Sequence, residues 1–173
     1  MNKPLDKKPM SVALGVIGGS GAYDLLTNGG LGEKVNTVTL KTPFGESAPI
    51  HHFRAGNLHY LFLSRHGETD YSITAPFVNY RANIYALKEC GVERIISWSG
   101  PGIINTSFKP GDYVLPSDII DETRNRETTF FKNSGIGFIR QSEPFCPQIK
   151  QVVHDSMHAL GFPHHDQAVY VCT

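Results

Sequence analysis

Val12-Ala13-Leu14-Gly15-Val16-Ile17-Gly18-Gly19-Ser20-Gly21-Ala22-Tyr23-Asp24-Leu25 is the stretch around which the rest of the chain is organised. Its apolar run predicts a buried strand, and the three glycines around Ser20 predict a tight loop at the edge of a sheet. Glycines there let backbone N–H groups turn toward a bound anion, and the Ser20 hydroxyl adds one more donor. The dinucleotide-binding fingerprint fails, because Gly19-x-Gly21 is followed by Asp24 where a third glycine is needed. No Gly-Lys-Ser/Thr follows, which excludes a Walker loop. On this stretch alone, a plain strand and turn and a phosphate loop both stay open.

The chain of 173 residues has the length of one domain, able to bury roughly 70% of its unfolded surface. Lys plus Arg equals Asp plus Glu at 16 each. That balance carries no footprint for nucleic acid or an anionic membrane, so the expected ligand is small and its charge is met locally. Cys90, Cys146 and Cys172 are odd in number, far apart and without a C-x-x-C pair, which points to a reducing cytoplasm rather than a disulfide framework. Residues 1–11 are polar and proline-punctuated, with no apolar core of a signal peptide, and read as a disordered leader. No apolar run reaches the length of a membrane span.

Further along, residues 27–30 read as a loop, 35–40 as a strand and 42–45 as a turn. Residues 51–55 and 58–64 read as a β-hairpin about Gly56-Asn57. A helix is expected over 77–90, started by Pro76 and ended by Gly91, with Tyr80, Ile84 and Leu87 as its apolar stripe. Residues 92–98 form another buried strand, giving strand–helix–strand and parallel pairing. Lys109-Pro110-Gly111-Asp112 has type II turn order, with short strands at 113–115 and 119–120. Residues 122–143, with Arg124, Arg126 and Phe130, read as a functional or interface loop. Ile149, Val152, Val153, Met157 and Leu160 stripe a last helix between Pro147 and Gly161, and residues 168–172 form a final strand. No boundary is evident within 12–173.

Arg65-His66-Gly67-Glu68-Thr69 is the sharpest local motif. An arginine at a strand's end offers a planar donor fork suited to phosphate, and a neighbouring histidine can donate or shuttle a proton. Alone, the five residues resemble the histidine phosphatase and phosphoglycerate mutase signature, with His66 as nucleophile, although Asp70-Tyr71-Ser72-Ile73 does not continue that pattern. His154 and His158 stand at i and i+4 on a helix but lack the glutamate and third ligand of a zinc site, so they read as a solvated face and no metal is expected. His51, His52, His164 and His165 read as surface or turn residues, and Cys90 and Cys146 as packing residues.

Six stretches together resemble a different family: Gly18-Gly19-Ser20-Gly21-x-Tyr23-Asp24, Thr42-Pro43-Phe44-Gly45, Arg65-His66-Gly67, residues 78–88 from Val78-Asn79-Tyr80-Arg81, Pro110-Gly111-Asp112, and Glu143-Pro144-Phe145-Cys146-Pro147. In order over residues 12–173, they look like the trimeric purine nucleoside phosphorylases, in the methylthioadenosine and methylthioinosine phosphorylase branch. The resemblance implies an α/β, three-layer α/β/α fold with a mixed, largely parallel central sheet, incomplete at its C-terminus. It implies phosphorolysis of a purine (5′-methylthio)nucleoside in the cytoplasm by a homotrimer. Inorganic phosphate would be the co-substrate, with no other cofactor.

Carried over onto this chain, Ser20 with the Gly19 and Gly21 backbone would bind phosphate and Arg65 would be its main charge partner. His66 would be a phosphate or ribose contact, and Ser99 would approach phosphate and ribose. Two features depart from the family: Ser99-Gly100-Pro101-Gly102 replaces Ala-x-Gly-Gly/Ser, and Trp98 stands where a small hydroxyl residue is common. The family's Gly-Pro-Arg loop and base-reading segments would follow Thr173. Residues 12–173 are thus expected to be the N-terminal portion of the domain, with an apolar sheet face left open and little activity alone. A phosphohydrolase or mutase using His66, and a non-catalytic phosphate-binding module, remain the alternatives.

Overall fold

The computed structural model describes residues 12–135 and 140–173. The expected leader over 1–11, and four residues of the expected loop over 122–143, lie outside the described residues. The chain falls into two compact units, one ending at Gly100 and the other spanning Pro101–Thr173.

The first unit runs β1 (Leu14–Gly18), α1 (Ala22–Asn28), β2 (Glu33–Val38), β3 (Lys41–Thr42), β4 (Gly45–Glu46), β5 (Ile50–Ala55), β6 (Leu58–Ser64), α2 (Tyr80–Glu89) and β7 (Arg94–Trp98). Its five-stranded sheet has the order β2-β5-β6-β1-β7. β1 pairs in parallel with both β6 and β7, whereas β2–β5 and β5–β6 are antiparallel. The hairpin stands where expected, with Ala55 opposite Leu58. The helical crossover from β6 through α2 delivers β7 to the far side of β1, so the glycine-rich strand lies between the other two parallel strands.

Alternation along β6 sorts the core onto two faces. Leu61 and Leu63 pack with Ile50 and with Ala86, Leu87 and Cys90 of α2 and its end. Tyr60 and Phe62 pack with Phe53 and with Ala22 of α1 on the other face. One helix therefore covers each face of this sheet, which makes a three-layer α/β/α unit. Burial pushes the Cys90 thiol up to about 11, so this cysteine is a packing residue and not a nucleophile.

Three local expectations change. Thr27 and Asn28 belong to α1, which runs through the expected loop and stops at Gly29 with φ 72°. The helix expected from residue 77 begins at Tyr80, because Pro76 sits in a short 3-10 turn, Ala75–Phe77. The side-chain oxygen of Asn79 then accepts the Ala82 N–H at 3.1 Å and caps α2. The buried face of α2 is Ala82, Asn83, Ala86 and Leu87, while Ile84 is 36% exposed. Of the expected stripe only Leu87 lies on that buried face, and the small Ala82 and Ala86 let the helix approach the sheet closely beside it.

The second unit holds β8 (Tyr113–Val114), β9 (Asp118–Asp121), α3 (Pro147–Leu160), β10 (His164–His165) and β11 (Val169–Cys172). β8 pairs with β10 and β9 with β11, both in parallel. The turn before β8 closes through Asp112 N–H to Lys109 carbonyl at 3.1 Å, with Gly111 at φ 94° as type II geometry requires. α3 has the expected bounds, with its C-cap at Gly161. Its expected apolar stripe is not buried: Val152 is 61% and Leu160 69% exposed. Ile119, Ile120 and Val169 on β9 and β11 are also exposed. Cys146, at the start of α3, is exposed rather than packed.

Candidate functional site

Parallel pairing brings three strand ends to one edge of the first unit's sheet. Gly18 is in register with Ser64 on one side and Trp98 on the other. The residues that follow, Gly19, Arg65 and Ser99, are therefore neighbours although they lie far apart in sequence. Ligands of open α/β sheets bind at this carboxyl edge, where loops from adjacent parallel strands meet.

The glycines let the backbones close up. A Cβ on Gly18 would stand 2.3 Å from the Ala22 Cβ, so Gly18 lets α1 pack back onto β1. A Cβ on Gly19 would lie 2.7 Å from the Trp98 carbonyl oxygen, 3.1 Å from Ser99 Cα and 3.1 Å from an Arg65 guanidinium nitrogen. Gly21 adopts φ 81° and heads α1, and Ser20 beside it is exposed. The Arg65 backbone N–H donates to the Gly18 carbonyl at 3.2 Å, which ties the second strand end to the first. A guanidinium thus stands against the glycine loop with the Ser99 backbone on the other side.

His66 is 1% exposed, and both its ring nitrogens are engaged. Nδ1 lies 2.8 Å from the Ile73 carbonyl oxygen, to which it donates, and Nε2 accepts the Arg65 Nε–H at 3.0 Å. The Ile73 N–H returns a bond to the His66 carbonyl at 2.9 Å, and Tyr71 stacks on the imidazole at 4.3 Å between centroids. The histidine therefore holds the Arg65 side chain and closes the 66–73 loop. No lone pair is left on it for attack on phosphorus, so this geometry does not suit the nucleophile of a mutase. Tyr71 and Ile73 went unread in the sequence, where residues 70–73 registered only as a break in the mutase pattern.

His51 was expected at the surface, yet it is 3% exposed on β5. Its Nδ1 pairs with the Thr37 hydroxyl at 2.8 Å, and its Nε2 meets Glu68 in the loop after Arg65. Burial lowers the His51 pKa, against the opposing pull of the Glu68 carboxylate. A buried neutral imidazole thereby anchors the loop that carries Arg65 and His66.

Two of the quoted stretches also meet. The Asn79 side-chain amide donates to the Phe44 carbonyl at 2.8 Å, and the Arg81 guanidinium lies 5.0 Å above the Phe44 ring. Gly45, at φ 105°, leaves room for that approach, since a Cβ there would lie 2.9 Å from the Asn79 amide nitrogen. These residues dock α2 against the β3–β4 turn. The described part of the 122–143 loop and Pro110-Gly111-Asp112 lie in the second unit.

Among the described residues one further group of imidazoles and carboxylates converges, His154, His164 and Asp166, joining two histidines that the sequence reads as a solvated helix face and a surface or turn residue; His158, at i+4 from His154, is outside it.

Residues 13–173 match the family model described as the phosphorylase superfamily. The chain is 38% identical over 160 residues to the S-methyl-5′-thioadenosine phosphorylase of Thermococcus kodakarensis, covering 92% of this chain and 60% of that protein. It is 39% identical over 167 residues to the 6-oxopurine nucleoside phosphorylase of Pyrococcus furiosus, with the same coverage. Among solved structures, the methylthioadenosine phosphorylase from Schistosoma mansoni in complex with adenine superposes with a TM-score of 0.82 at 27% identity. That match covers 93% of this chain and 64% of the other. The chain thus spans about 60% of the length of the curated relatives it matches.

Proposed function

The chain belongs to the phosphorylase superfamily, and from that premise we propose that it serves the phosphorolysis of a purine nucleoside. Inorganic phosphate attacks C1′ of the sugar, the C1′–N bond to the purine breaks, and the products are the free base and a ribose 1-phosphate. Positive charge builds on an oxocarbenium-like sugar while the anion waits beside it, so the protein's task is positioning and electrostatics. The substrate class proposed is a purine nucleoside, 5′-methylthio or 6-oxo, by likeness to relatives whose names carry those activities.

Each residue at the sheet edge has a part. Arg65 supplies the cationic fork for phosphate, and the Gly19 and Gly21 backbone with the Ser20 hydroxyl lines the opposite wall. Ser99 and its backbone approach from the third strand end. His66 acts through Arg65 as a positioning residue. Phosphate is the co-substrate, and the proposed assembly is a homotrimer in the cytoplasm. The observation that supports this reading most is the convergence of Gly19, Arg65 and Ser99 from three adjacent strand ends.

The test pairs phosphate binding by calorimetry with purine release from 5′-methylthioadenosine, 5′-methylthioinosine and inosine. Release should depend on phosphate, and Arg65→Ala should weaken phosphate about 10–100-fold, the worth of a lost hydrogen bond to a charged group. Equal release without phosphate would overturn the reading. Phosphate binding with no nucleoside turnover would leave a phosphate-binding module, and a phosphohistidine lost in His66→Ala would establish the mutase alternative.

A further inference from the structure

We propose that His154, His164 and Asp166 form a binding site for a divalent transition-metal ion, with zinc the favoured occupant. The three ligand atoms come from different pieces of the second unit: His154 from α3, His164 from β10, and Asp166 from the segment after it. They nevertheless lie within 4.8 Å of one another. His154 Nδ1 stands 2.8 Å from an Asp166 carboxylate oxygen and 3.3 Å from His164 Nε2. Four ligands at zinc distances of about 2.0–2.1 Å in a tetrahedron stand about 3.3 Å apart. The His154–His164 spacing meets that separation, the His154–Asp166 spacing is roughly half an ångström short of it, and His164 and Asp166 lie within 4.8 Å of each other.

The outer partners favour coordination. His164 donates its Nδ1–H to the Phe162 carbonyl at 2.8 Å, which leaves Nε2 as a lone pair aimed at the cluster. A backbone carbonyl on the remote ring nitrogen is how metal-bound histidines are commonly oriented. Pairing of His164 with Tyr113 across β10 and β8 holds the backbone, reinforced by Tyr113 N–H to Pro163 carbonyl at 3.0 Å. The Asp166 carboxylate supplies the negative charge. His154 carries its proton on Nε2 when the metal takes Nδ1, so the imidazole stays neutral, and the divalent ion with one carboxylate leaves the site at a net +1. Two imidazoles and one carboxylate are the donor set of open zinc sites, with water in the fourth position. The His154 and Asp166 side chains are 33% and 46% exposed, which gives the ion a way in. His52 and His59, whose rings approach at 2.8 Å on the hairpin, offer only two ligands and are the weaker competitor.

Calorimetric titration of the untagged, chelator-treated chain with zinc chloride tests the site. One equivalent should bind, and His154→Ala, His164→Ala and Asp166→Asn should each weaken it at least about 100-fold, beyond what loss of an outer partner costs. His158→Ala and His52→Ala should leave the affinity unchanged. Ring NMR of the wild-type chain needs no variant, and zinc should shift His154 and His164 before His52 and His59. Absence of a zinc isotherm in the wild type, unchanged affinity in the folded Asp166→Asn variant, or first shifts at His52 and His59 would each overturn the proposal.

Discussion

At the scale of single residues, the sheet edge depends on atoms that are not there. A Cβ on Gly19 would meet the Trp98 carbonyl, the Ser99 backbone and Arg65, and two of those three are main chain that cannot swing aside. Gly19→Ala should therefore cost about 1–3 kcal/mol, as over-packing does. Urea unfolding should show a lower midpoint at unchanged slope, together with weaker phosphate binding. Gly30→Ala is the control, because its nearest contact would be the Leu25 side chain at an ordinary 3.6 Å. His51 makes the second residue-scale prediction. Burial holds its pKa below the usual value of about 6.5, so the unfolded chain takes up a proton at a higher pH than the folded one. The stabilisation is complete above that value and is lost as pH falls from about 6.5 through the folded pKa. His52, lowered mainly by burial and next by His59, contributes with the same sign. Urea midpoints compared between pH 7.5 and pH 5 should fall in the wild type and fall less in His51→Gln. An equal fall in both would remove His51 as the cause.

At the scale of elements, α2 is held by one side chain with two jobs. The Asn79 carboxamide oxygen caps the helix, while its nitrogen ties the helix to Phe44. Asn79→Ala should cost about 1 kcal/mol for the cap and more for the tether, whereas Asn79→Asp keeps the acceptor and loses only the donor. Thermal unfolding should rank the wild type above Asp and Asp above Ala, and equal losses for both variants would mean that the cap contributes nothing. Much of the element order could be read ahead because periodicity and turn chemistry agreed there. β1, the hairpin about Gly56-Asn57 and α3 between Pro147 and Gly161 are local signals with one reading each. α1 escaped because a seven-residue helix beside Gly29-Gly30 is too short to show a period. The start of α2 was misplaced because Pro76 also suits a 3-10 turn, and only the contact with Phe44 picks Asn79 as the cap. The proposed phosphate wall was partly legible: glycines and an arginine at strand ends carry their chemistry in sequence. The Arg65–His66 bond, the Tyr71 stack and the His51–Glu68 pair are tertiary contacts that no spacing encodes.

At the scale of the whole molecule, the residues assigned to phosphate all fall before the end of the first unit at Gly100, while the proposed metal ligands all fall in Pro101–Thr173. The two ligands should therefore leave different footprints on one chain. A ligand that binds only the folded form slows the openings of what it holds, adding about 2.7 kcal/mol of stability at a hundredfold excess over its dissociation constant. Hydrogen exchange with inorganic phosphate should slow the amides of residues 18–21, 65–73 and 98–99. The Ile73 and Arg65 N–H groups should respond most, since their bonds to His66 and Gly18 close the loop around the guanidinium. Zinc should instead slow the amides in the middle of α3 and along β8 and β10, where His154 and His164 are anchored. Arg65→Ala should erase the first footprint and keep the second, and Asp166→Asn the reverse. Phosphate protection centred on β8–β11, or one that survives Arg65→Ala, would show that the anion binds somewhere other than the edge where Gly19, Arg65 and Ser99 meet.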